Sequence, residues 1–160
     1  MARDCILYVE DDLLCSLENS EAIRENGFDV VEARCAAEAA EVVDRHDPLA
    51  ALVTDINLGD GADGFEVARH ARSAYPGLPV VYVSAAAAAR VSLEGLKGAD
   101  FIAKPFYAQQ IIAALHRIIT PQSASPLFDA APPIETWAEA DTLALAPPAD
   151  KPQAITETLP

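Results

Sequence analysis

The sequence predicts an α/β fold, a doubly wound parallel sheet of the (βα)5 kind, and three observations carry that expectation. Hydrophobic residues make up 51% of the chain but aromatics only 6%, so the core has to be built from Ala, Val, Ile and Leu, as in tightly packed α/β proteins. Short apolar runs alternate with helix-period patterns as far as Thr120, and such alternation implies parallel strands joined by crossover helices. Polar side chains stand at the ends of several apolar runs, where sheets of this kind bind their ligands.

Each element has its own signal. "CILYV" reads as the first strand, and "DLLCSLENSEAIREN" as a helix stopped by Gly27, the usual residue for a left-handed C-cap. Asn19 interrupts the apolar stripe of that helix. "FDVVEA" reads as the second strand and "AAEAAEVVDRH" as a helix ended near Pro48. "LAALVTDI" is a third strand, continuously apolar as central parallel strands are. "GFEVARHARSAY" gives the third helix, and "PVVYVSA" a fourth strand rich in β-branched residues. A short helix is expected from Val91 to Lys97, then a fifth strand in "ADFIAKP", stopped by Pro105. The last helix, Tyr107 to Ile119, carries Ile111, Ile112, Leu115, Ile118 and Ile119 at helical spacing.

The bulk numbers narrow the function. With 11 Lys and Arg against 25 Asp and Glu the formal charge is −14, which argues against a large contact with nucleic acid or an anionic membrane. No segment approaches the unbroken apolar length of a membrane span, and the apolar run near the N-terminus is too short for a signal peptide. Cys5, Cys15 and Cys35 show no CxxC spacing and no accompanying histidine cluster, so they read as small buried hydrophobes in a reducing cytoplasm. From Pro121 onward the character changes: the segment 121–160 holds eight of the 12 prolines and one lysine against six acids. It reads as a disordered acidic tail, with "PIETWAEADTLALA" as a docking candidate, beside a folded domain over residues 1–120. His46, His70 and His116 read as surface histidines.

Glu10, Asp11 and Asp12 follow the first strand, Asp55 ends the third, Ser84 the fourth and Lys104 the fifth. In the doubly wound order 2-1-3-4-5 the four strands are neighbours, so these groups should converge. Several carboxylates with one ammonium and one hydroxyl make a hard-cation site suited to Mg²⁺ and a phosphoryl group. Taken singly each has a plainer reading: helix-dipole acids, a turn opener, a helix cap, a solvated lysine.

Together, "YVEDD", "VTDINLG", "DGFEVA", "VVYVSA" and "GADFIAKPF" make residues 5 to 119 similar to a response regulator receiver domain of two-component signalling, a flavodoxin-like fold. The resemblance implies that Glu10 and Asp11, with Asp55 and the backbone carbonyl of Asn57, hold Mg²⁺. It implies that Asp55 is the phosphoacceptor, Lys104 the phosphate-contacting lysine, Ser84 the switch hydroxyl and Phe101 the aromatic switch. It further implies a cytoplasmic single-domain response regulator, not an enzyme in its own right. Its partners would be a histidine kinase or histidine phosphotransfer protein upstream and a protein target downstream, met on the face of the fourth helix, fifth strand and fifth helix. A homodimer is left open.

Two stretches depart from the family pattern. Gly59 stands where proline is common, in a longer turn "LGDGADG" expected to be more flexible, and the segment between Ser84 and Lys104 is short, which predicts a truncated or displaced fourth helix. A pseudo-receiver that binds partners without phosphorylation is one alternative. An aspartyl-phosphate hydrolase of the haloacid dehalogenase type is another, weakened because Asn57 stands where that chemistry needs a second acid.

Overall fold

The computed structural model describes residues 3–119 apart from residues 46, 60, 86 and 87. Five strands alternate with five helices: β1 (Cys5–Val9), α1 (Leu13–Glu25), β2 (Asp29–Ala33), α2 (Ala36–Asp44), β3 (Ala51–Asp55), α3 (Gly64–Ala74), β4 (Val80–Ser84), α4 (Ala88–Glu94), β5 (Asp100–Ala103) and α5 (Ala108–Ile119). The strands form one parallel sheet in the order β2-β1-β3-β4-β5. The tail expected over residues 121–160, with its "PIETWAEADTLALA" segment, lies outside the described residues, as does His46.

Strand alternation sends successive side chains to opposite faces, so the sheet has two cores. Leu7, Val9, Leu52, Val80 and Tyr82 pack with α2 and α3 on one face. Ile6, Tyr8, Val53, Val81 and Val83 meet Ile23 of α1 and Ile111, Ile112 and Leu115 of α5 on the other. β3 and β4 are buried along their whole length, which is why their sequences are continuously apolar rather than alternating.

The helix ends follow local chemistry. Asp12 caps α1, its Oδ1 accepting the Cys15 amide at 2.9 Å. Gly27 follows α1 with φ +94°, the left-handed conformation that glycine adopts without steric cost. Asp63 caps α3 in a capping box completed by Glu66.

Three expectations need correction. The fourth helix begins and ends three residues earlier than Val91 to Lys97, because Gly95, pressed against the Val91 carbonyl, closes its last turn. At seven residues it is short, as expected. Helix α1 is turned inside out relative to a simple apolar stripe. It buries Ser16, Asn19 and Ser20 beside Ile23 and leaves Leu13, Leu14 and Leu17 exposed. Asn19 is therefore no interruption: its Nδ2 donates to the buried Tyr8 hydroxyl at 3.1 Å and to the Cys15 carbonyl at 2.8 Å. The three cysteines are half-buried rather than buried, with free thiols.

Candidate functional site

Parallel strands end at one edge of the sheet, and Glu10, Asp11, Asp55 and Lys104 converge there, whereas the Asp12 side chain turns away to cap α1. Glu10 follows β1, its amide still bonded to the Ala33 carbonyl, and it is only 1% exposed. Asp55 closes β3 at 6% exposure. Ser84 closes β4, fully buried, and its carbonyl accepts the Lys104 amide at 2.9 Å. That bond brings Lys104 back over the site from the end of β5. A cis peptide bond joins Lys104 to Pro105.

Lys104 is the hub. Its Nζ donates to Asp55 Oδ2 at 2.6 Å and to Glu10 Oε2 at 2.8 Å. Asp55 Oδ1 accepts the Asn57 amide at 2.9 Å, and Glu10 Oε1 accepts the Asp12 amide at 3.3 Å. Burial pushes the Glu10 carboxyl above its ordinary pKa, with Lys104 opposing the shift. Burial also acts to lower the Lys104 pKa, but its bonds to Asp55 and Glu10 outweigh that and hold it raised. The lysine is thus a fixed positive charge between two buried carboxylates.

Asp11 is exposed at the mouth, and Glu10, Asp11 and Asp55 each bring an oxygen within 4.8 Å of the others. Oxygen-only donors at that spacing suit a hard divalent cation such as Mg²⁺. Gly59, at φ +77°, lies so that a β-carbon there would stand 3.4 Å from Asp11 Oδ2. Gly64 is tighter: a β-carbon would fall 2.1 Å from the Asp55 carbonyl oxygen. The first turn of α3 is packed directly on the backbone of Asp55. The sequence held a signal for this, a glycine straight after the cap Asp63, but not its reason.

Phe101 is not at the carboxylate cluster. It lies in β5 opposite Tyr82, half-buried against the core of the α2–α3 face. Reasoning from the sequence missed three features. An open cavity of ≈ 570 Å³ lies beside Lys104, and its lining includes Cys15, Asn19, Phe106 and Tyr107. Tyr8 lies under the site, and burial, then Glu10, raises its pKa. Arg90 of α4 reaches the α3 cap, donating to Asp63 Oδ2 at 3.0 Å.

A parallel (βα)5 sheet thus carries, at the carboxyl edge of its strands, a lysine clamped between two buried carboxylates with a third carboxylate at the mouth. The family model for the response regulator receiver domain matches residues 6–116, and the chain belongs to that family. Among solved structures it is similar to a response regulator receiver protein from Sinorhizobium medicae, with 30% identity and a TM-score of 0.71 over 73% of this chain and 94% of that one. The non-phosphorylated HemR receiver domain of Leptospira biflexa is 31% identical with a TM-score of 0.66, covering 74% and 95% respectively. Among curated proteins, the response regulator MprA of Mycobacterium leprae is 31% identical over 116 residues, 71% of this chain and 50% of that protein. The chain spans about half the length, or less, of the first curated relatives it matches. Among the described residues no helix is long and apolar enough to cross a membrane.

Proposed function

We propose that Asp55 accepts a phosphoryl group from a phosphohistidine on a histidine kinase or histidine phosphotransfer protein, and that the aspartyl phosphate switches binding of a downstream protein. The observation that carries this reading is Lys104 Nζ bridging Asp55 Oδ2 and Glu10 Oε2. A buried carboxylate pair is costly to keep without a partner, and the clamp supplies that partner and aims Asp55. The Asp55 carboxylate attacks phosphorus. The new O–P bond forms as the N–P bond breaks, and the electron pair leaves with the imidazole nitrogen. Lys104 then faces the charge gathered on the phosphoryl oxygens. Glu10, Asp11, Asp55 and the Asn57 carbonyl are the groups that would hold Mg²⁺, which would supply further charge stabilisation there.

Ser84, at the end of the neighbouring strand, is the proposed hydroxyl partner of the phosphoryl group, and Phe101 the side chain that repacks in response. Output passes through the α4–β5–α5 face, where Leu93 is 85% exposed. The donor protein meets α1, which leaves Leu13, Leu14 and Leu17 exposed, and the cavity that Lys104 and Tyr107 line. Stand-alone action in the cytoplasm belongs to the same proposal. The pseudo-receiver reading predicts partner binding indifferent to Asp55. The hydrolase reading lacks its second acid at Asn57.

The test is intact mass after incubation with Mg²⁺ and acetyl phosphate, for the parent and Asp55→Asn. A gain of one phosphoryl group in the parent alone is expected. Uptake by both proteins would place the acceptor elsewhere, and uptake by neither, even from a cognate kinase, would leave the pseudo-receiver.

A further inference from the structure

Helix α4 is held by polar clamps more than by apolar packing. Leu93 points into solvent, and Val91 and Leu96 are only partly buried against the core. At its end the Leu96 amide donates to the Tyr82 hydroxyl at 3.3 Å, and Arg72 Nη1 donates to the Lys97 carbonyl at 3.1 Å. Nearer its start, Arg90 does three things at once. Its Nη2 pairs with Asp63 Oδ2 at 3.0 Å, its Nε with Glu94 Oε1 at 3.0 Å, and its guanidinium carbon stands 5.1 Å above the centre of the Phe65 ring.

Asp63 divides its two oxygens between two tasks. Oδ1 caps α3, accepting the Phe65 and Glu66 amides at 3.0 and 3.1 Å, while Oδ2 is given to Arg90. The next residue, Gly64, donates its amide to the Ile56 carbonyl at 2.9 Å and has no room for a side chain against Asp55. The carboxylate that Arg90 grips therefore belongs to a turn built on the backbone of the acceptor.

The geometry points to Arg90 as a latch: its ion pair with Asp63 holds α4 in the resting position, and release of that pair carries the modification of Asp55 to the α4 face. The second half rests on the phosphorylation of Asp55 proposed above; the first does not. The pair is partly exposed, so it is weak enough to open and is screened by salt.

Hydrogen exchange of the amides of residues 92–95, followed by NMR on the full chain, tests both halves. Asp63→Asn keeps an oxygen for the α3 cap and removes the charge facing Arg90, while Arg90→Met removes the pair from the other side. Both variants are expected to lose about two- to fivefold in α4 protection, with protection in α3 unchanged, since exposed pairs contribute below about 1 kcal/mol. Salt at about 1 M should bring the parent to the variants' level and leave the variants alone. Unchanged α4 protection in both variants overturns the latch. For the second half, acetyl phosphate and Mg²⁺ are added and uptake is read by mass. Phosphorylated parent should match the variants, and the variants should change no further. Phosphorylation with α4 protection intact overturns the transmission step. No uptake in the parent, from acetyl phosphate or from a cognate kinase, refutes the Asp55 reading and the transmission with it, while the resting latch is still decided by the first measurement.

Discussion

Replacing Lys104 by methionine removes the charge at the centre of the site and keeps most of the side chain's volume. Glu10 and Asp55, both nearly sealed from solvent, are then left with oxygens no more than 4.8 Å apart. At an effective dielectric constant of about 20, two like charges at that distance repel by at least ~3 kcal/mol, the scale on which breaking a buried ion pair destabilises proteins. Thermal unfolding without divalent cations should therefore fall by about 10 °C for a domain of this size. Mg²⁺ offers a replacement for the lost cation, so the variant should bind it more tightly than the parent and be stabilised by it more, recovering about 3 kcal/mol at a hundredfold excess over Kd. The assay is thermal unfolding with and without Mg²⁺, beside intact mass for phosphoryl uptake, which should be lost. A Lys104→Met protein as stable as the parent without Mg²⁺, or two proteins stabilised equally by it, would refute the clamp.

Further outcomes follow from the same geometry. Gly64→Ala places a β-carbon against the Asp55 carbonyl, and should cost about 2 kcal/mol or more in a denaturant titration and slow phosphoryl uptake, because the turn must leave the acceptor's backbone. Asn19→Leu strands the buried Tyr8 hydroxyl and should cost about 1–3 kcal/mol, whereas Asn19→Leu with Tyr8→Phe should be close to neutral; additive losses in that double-mutant cycle would show that the two side chains do not interact. Glu10 carries a pH signature. Its folded pKa is raised by burial, so its contribution to stability is full below the ordinary glutamate value and is lost as pH rises through the folded one. Without Mg²⁺, parent stability should fall with rising pH across that window just above about 4.5 more steeply than that of Glu10→Gln; identical profiles would count against the shift.

The sheet was legible because its signals are local. Short runs such as "ALV" and "VVYV", rich in β-branched residues and placed between helix-period stretches, read as strands covered on both faces, and the fixed period of two sets which side chains share a face. The C-cap at Gly27 was legible for the same reason, acting within a few residues of itself. So was the candidate cluster, since residues at the carboxyl ends of neighbouring parallel strands meet whatever lies between them. In α1 expectation failed because the partners lie elsewhere in the sequence. The polar side of α1 faces inward because Tyr8 and Glu32 wait there to bond Asn19 and Ser16, and nothing in "LLCSLENSEAIRE" says so.

The succession of strands and helices and the chemistry at the strand ends can be read from the chain, because hydrophobic period and residue type are properties of short stretches. Which oxygen of Asp55 meets Lys104, that Gly64 must be glycine, and that Arg90 of α4 reaches the cap of α3 emerge with the folded arrangement alone. Those facts depend on distances of a few ångströms between residues as many as 49 positions apart, and such distances exist only once the sheet has closed.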